Sequence, residues 1–130
     1  MNISVSTGTA YSFSTMNDYL NGVTKTNFST VTVKSNNLWL VNVQANATYF
    51  TAGGNGSTDM PATILSIRNA GTGSYQTISS TSNVTLNTGS RTGSSSPYTS
   101  TFDVDLAANP GFNFNGGTYS IGLIYTLTSQ

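Results

Sequence analysis

Apolar side chains in this chain recur at every second position, run after run, and almost never at helical spacing. A period of two marks an extended chain with one buried face, because successive strand side chains point to opposite sides. Ile3 and Val5, Tyr11 and Phe13, and Val31 and Val33 each alternate with polar residues. Trp39, Val41, Val43 and Ala45 share a face in the run Leu38 to Ala45. Ile64, Leu65 and Ile67 read as another strand, Val84 and Leu86 as the next, and Phe102, Val104 and Leu106 alternate cleanly. The last run, Thr118 to Thr128, sets Tyr119, Ile121, Leu123, Tyr125 and Leu127 on one side. The single helix-like piece is Ser14 to Leu20, one turn opened by Ser14 or Thr15 as a cap.

Turn chemistry separates these runs. Asn21-Gly22, Gly53-Gly54-Asn55-Gly56, Asn109-Pro110-Gly111 and Asn115-Gly116-Gly117 are strong signals, and Thr88 to Pro97 is the longest loop candidate. Many short strands with frequent turns point to an all-β fold, an immunoglobulin-like β-sandwich of about seven to nine antiparallel strands. No composition shift or internal repeat divides the chain, so residues 1–130 read as one domain. The alternation places Val31, Val33, Trp39, Val41, Val43, Ile64, Ile67, Phe102, Val104, Tyr119, Ile121 and Leu123 in the core.

Composition narrows the chemistry. The chain has no Cys, no His and no Glu, which removes disulfides, thiolate and imidazole metal sites, and the usual nucleophile–base pairs. Charged residues make up 6%, against about 25% in an average domain. The four cations, Lys25, Lys34, Arg68 and Arg91, are scattered, which argues against nucleic acid as a partner. No apolar run approaches the roughly 20 residues of a membrane-spanning helix. The Gly-rich turn at residues 53–56 lacks the Lys-Ser/Thr that completes a phosphate-binding loop. The expectation is a non-catalytic protein without a cofactor.

Two groups remain as candidate ligand sites. Asp103 and Asp105 lie two apart on a strand, project from one face, and are the candidates for a shared cation. The competing reading puts them on the solvent face opposite Phe102, Val104 and Leu106. It is preferred because calcium takes roughly six to eight oxygens and no Asp-rich loop supplies them. Trp39, Tyr49 and Phe50 are the candidates for a sugar-stacking platform, although the alternation of Trp39 with Val41 and Val43 assigns it to the core. Tyr19, Tyr75 and Tyr98 are the better surface aromatics. Triplets at Asn27, Asn46, Asn55 and Asn83 match the N-glycosylation acceptor, and chance explains them in a chain this rich in Asn, Ser and Thr.

The terminal runs carry a different signal. Asn2, Ile3, Ser4, Val5, Ser6 and Thr7 form a short, uncharged, alternating segment, a candidate donor strand for pairing with another copy of the chain. The competing reading makes it the first strand of its own sheet. The segment Thr118 to Thr128 is uncharged as well, and edge charge is what usually blocks sheet-to-sheet pairing.

The opening strand Asn2 to Thr7, the central Leu38-Trp39-Leu40-Val41-Asn42-Val43 and the closing Gly117-Thr118-Tyr119-Ser120-Ile121 through Thr128 together carry a resemblance. The chain resembles Ser/Thr-rich bacterial surface domains of the fimbrial and spore-coat-U kind, and secreted domains of the Bacteroidetes. The resemblance implies an exported structural or adhesive subunit, located at the cell surface or secreted, whose partners are copies of itself. A leader would then have been removed from an exported chain. The alternatives are a monomeric carbohydrate-binding module, with glycans as partners, and a virion structural protein.

Overall fold

The computed structural model describes residues 1–6, 11–13, 20–70, 72–93 and 98–130. Among these the alternating runs become eleven strands. They are β1 Asn2–Ser6, β2 Tyr11–Phe13, β3 Val23–Lys34, β4 Trp39–Ala45, β5 Thr51–Ala52 and β6 Leu65–Asn69. After these come β7 Gln76–Thr77, β8 Val84–Gly89, β9 Ser100–Ala108, β10 Gly117–Ser120 and β11 Leu123–Ser129. Eight of them (β1, β3, β4, β6, β8, β9, β10 and β11) have four residues or more, within the expected range. Among the described residues, a 3-10 turn spans Ala62–Ile64. Of the helix-like piece expected at Ser14 to Leu20, all but Leu20 lies outside the described residues.

The fold is an all-β sandwich. One layer is the five-stranded sheet β1-β3-β9-β6-β7. The other is built from two three-stranded sheets, β2-β10-β5 and β11-β4-β8. Every pairing among the described strands is antiparallel. Alternation decides which side chains meet between the layers. β4 buries Trp39, Val41, Val43 and Ala45, and β9 buries Phe102, Val104, Leu106 and Ala108. Val31 and Val33 of β3, Leu65 and Ile67 of β6, Val84 and Leu86 of β8, and Tyr119 of β10 join the same cluster.

Three core positions sit differently from the expectation. Ile64, Ile121 and Leu123 are half-buried and pack against the cluster instead of inside it. For Ile64 the cause is the 3-10 turn, which ends there and hands the inward position to Leu65. Met60, Ile78 and Phe50 are buried from connecting segments, where no period announces them. Thr88 and Gly89 belong to β8, so the loop expected from Thr88 begins at Ser90.

The closing run is two strands, where the sequence predicts one. β11 pairs with β4 up to Leu123↔Ala45, and β10 pairs with β5 from Ser120↔Thr51. The two sides form one antiparallel ribbon with unequal inserts: two residues, 121–122, on the C-terminal side against five, 46–50, on the other. The surplus residues have no partner across the ribbon, and residues 48–50 pair with 60–62 instead (Phe50 N–H to Met60 O, 2.9 Å; Ala62 N–H to Thr48 O, 2.8 Å), so the ribbon bends and its sheet divides. Asn46 holds the bend. Its N–H donates to Gly122 O (3.0 Å), and its Oδ1 accepts from Gly122 N (3.2 Å). A Cβ at position 122 would run into the Asn46 side chain, which explains the glycine.

Candidate functional site: uncharged strand edges

β1 lies at the edge of the five-stranded sheet. It pairs with β3 from Asn2↔Lys34 to Ser6↔Thr30, so the donor-strand candidate completes its own sheet in this chain. Ile3 and Val5 pack against the core, as partly buried residues. Thr7, the last residue of the candidate, lies outside the described residues. β11 is the edge of the opposing sheet and runs seven residues against β4 without a register shift. Its outward residues include Ile124, 44% exposed, and Thr126 and Thr128. Neither β1 nor β11 contains a charged residue.

The two edges lie on one side of the sandwich. β8, at the far edge of its sheet, sits against β6. That leaves β11 over the β3 and β1 side. The inward Tyr125 of β11 reaches Ser29 of β3. The two hydroxyls adjoin without a hydrogen bond of standard geometry, and both oxygens are sealed from solvent. Burial raises the Tyr125 pKa above its ordinary 10.0, and Ser29 pulls it partly back.

A pH prediction follows from that shift. Unfolded Tyr125 ionises near its ordinary value, while the folded phenol holds its proton to higher pH. Above pH 10.0 the unfolded chain therefore binds fewer protons, and stability falls as pH rises until the folded phenol ionises too. Tyr125→Phe is expected to leave stability at pH 7 within about 1 kcal/mol, because the lost hydroxyl had no well-formed bond. It is expected to reduce the alkaline loss. Urea titrations of both proteins at pH 7 and above pH 10 check this, and identical alkaline profiles would refute it.

The carboxylates flagged by their spacing share a strand face but have separate partners. Asp103 Oδ1 accepts from Thr30 Oγ1 at 2.6 Å. Asp105 is 3% exposed although it points away from the core. Its Oδ1 accepts from the Asn27 N–H (2.9 Å), and its Oδ2 accepts from Arg68 Nε (3.0 Å). Arg68 also stacks over Tyr75, 4.5 Å from guanidinium carbon to ring centroid. Asp105 is thus a bridge between a bulge in β3 and its cross-strand neighbour Arg68 on β6.

The three aromatics considered as a sugar platform are divided. Trp39 and Phe50 are buried, and Tyr49 is exposed. Tyr49 instead borders a hollow of about 330 Å³ at the ribbon bend, with Asn46, Thr51 and Gly122. A second hollow, of about 350 Å³, lies at the β3–β4 end and contains Lys34, Arg91 and Tyr98. The sequence named Tyr98 as a surface aromatic but not its cationic neighbours. Tyr19 lies outside the described residues.

Among the acceptor triplets, Asn27, Asn46, Asn55 and Asn83 are all exposed, yet the Asn46 amide is committed to Gly122. Among the described residues, no helix is long and apolar enough to cross a membrane. No protein-family model matches the chain, and no curated protein matches it.

Proposed function

We propose that this protein is a non-catalytic structural subunit of an extracellular assembly, a filament, pilus-like fibre or coat, and that copies join by main-chain pairing along the β1/β11 side. The observation that carries this reading is the β11 edge. It offers seven residues of unbroken strand, no charge and an exposed Ile124. An exposed, regular, apolar edge presents unpaired N–H and C=O groups to any strand that approaches, and monomeric proteins usually block it with Lys, Pro or a bulge. β1, at the edge of the other layer, is a second uncharged strand edge. The resemblance to fimbrial and spore-coat-U-like surface domains supports the same reading, as does the Ser/Thr/Asn surface with its few charges.

Strand donation by Asn2 to Thr7 is the finer version of this proposal. It requires β1 to leave β3 in one subunit and replace the equivalent strand in the next. Removing that segment would also uncover β3 and withdraw Ile3 and Val5 from the core, so truncation disturbs folding and assembly together. A point change at the edge separates them. Ile124→Lys places a charge on the exposed face of β11 and is expected to leave the fold intact. The intact chain is expected to sediment as oligomers or form fibres, and the variant to remain monomeric. A parent chain that stays monomeric at every concentration, or a variant that assembles equally well, defeats the proposal.

A further inference from the structure

We propose that the hollow at the β3–β4 end of the sandwich is a binding site for an acidic sugar, a saccharide ring bearing a carboxylate. Its lining is Lys34, Asn36, Arg91, Thr92, Gly93 and Tyr98, and its volume is about 350 Å³. That volume is at the low end for small-ligand pockets.

The four cations of the chain divide into two held by neighbours and two that line this hollow. Arg68 is held by Asp105, and Lys25 lies over the Phe28 ring at 5.7 Å. The other two, Lys34 and Arg91, meet in this hollow. Among the described residues, neither has a carboxylate partner and no carboxylate lines the hollow. In a chain with so little charge, two cations drawn together without a counter-ion make a local positive potential that an anion relieves. Arg91 brings a planar fork that matches a carboxylate, and Lys34 adds a point charge.

Tyr98 points to a ring as the rest of the ligand. It is 47% exposed, and its φ of 57° lies in the left-handed region that side chains with a Cβ avoid. Such strain persists where surrounding structure imposes it, and it concentrates at ligand sites. An exposed aromatic body offers a stacking face, and Asn36 offers an amide for hydroxyls.

The floor is preformed. The Thr92 N–H donates to Ser35 O (3.0 Å), and its hydroxyl donates to the same oxygen (3.1 Å). That hydroxyl also accepts from the Ser35 N–H (3.2 Å). Ser35 is 2% exposed and ties the turn further through Asn37. Arg91 and Lys34 flank this clasp directly in sequence, so their backbones are fixed before a ligand arrives, which lowers the entropy lost on binding.

The test is an amide-shift titration of the full chain with three probes. They are a disaccharide ending in glucuronate, its neutral glucose counterpart, and sodium sulfate. Saturable shifts at residues 34–36, 91–93 and 98 with the acidic disaccharide alone are expected. Arg91→Gln and Tyr98→Ala are each expected to weaken it about tenfold, which is about 1.4 kcal/mol. Lys25→Gln should leave it unchanged. No response to the acidic probe at about 10 mM, equal binding of the neutral one, or the same shifts and affinity with sulfate would each overturn the site. If a variant fails to fold, the shift map of the parent chain decides. Ile124→Lys should bind the probe like the parent, so this site stands or falls separately from the edge-pairing proposal.

Discussion

Trp39→Ala is expected to lower the unfolding free energy by about 3–5 kcal/mol, the ordinary range for emptying a large aromatic site in a packed core. Trp39 is 2% exposed and begins β4, with Gly89 of β8 on one side and Ser129 of β11 on the other. The indole lies over Gly89. A Cβ built on that glycine would stand 2.6 Å from Trp39 Cε2 and 2.9 Å from Nε1. Glycine at this point of a strand is therefore a consequence of the indole: the ring occupies the volume that a side chain would need. Gly89→Ala alone is expected to destabilise by about 1–3 kcal/mol through overpacking. In the Trp39→Ala background the same change should be neutral or stabilising, because the obstruction has gone and alanine costs less backbone entropy than glycine. Denaturant titrations of the four proteins give the coupling between the two sites. Additive effects would mean that the indole and the glycine are independent. A Trp39→Ala loss well under 1 kcal/mol would mean that the tryptophan is not a core residue at all.

The same residues show what the sequence can and cannot disclose. The sandwich is legible because each layer needs one apolar face, and Trp39, Val41, Val43 and Ala45 state theirs at a period of two. The bend at Ile121-Gly122 is not legible. Tyr119, Ile121, Leu123 and Tyr125 keep the same parity through it, so the pattern reads as a continuous strand. The cause lies some 75 residues away, in the three surplus residues between Ala45 and Thr51. Met60 and Ile78 are buried by where their connections pass over the core, which no local period records. At the edges the sequence shows the absence of charge, whereas the placement of β1 and β11 at the edges of their sheets depends on sheet order. The cationic hollow is hidden for a similar reason. Lys34 and Arg91 are far apart in the chain and come to line one hollow because β4 pairs with β8 and Thr92 clasps Ser35.

Asp105 is the second position where a large effect is expected. Alternation assigns it to the outer face of β9, which is where it points, yet it is buried. Two neighbours cover it. Arg68 stands opposite on β6 and gives the one ion pair among the described residues, at 3.0 Å. Asn27 belongs to the register shift between Lys25 and Ser29 of β3, where its φ is 51°. There the Asn27 N–H turns to the carboxylate at 2.9 Å. A hydrogen bond to a charged acceptor contributes about 1.5–3 kcal/mol. The Arg68 side chain is about one-third exposed, so water screens its pairing and the ion pair adds less than a fully buried one. Asp105→Ala is therefore expected to cost about 2–4 kcal/mol. Asp105→Asn keeps an acceptor for Asn27 but gives up the charge and sets an NH2 donor against the Arg68 Nε–H, so a large part of that loss is expected. Arg68→Gln should fall near the Asn variant, and the two changes together should cost less than their sum, because either one alone breaks the same pair. Urea midpoints for the set measure this ordering. If Asp105→Ala is as stable as the parent, the carboxylate does not hold the β3 bulge.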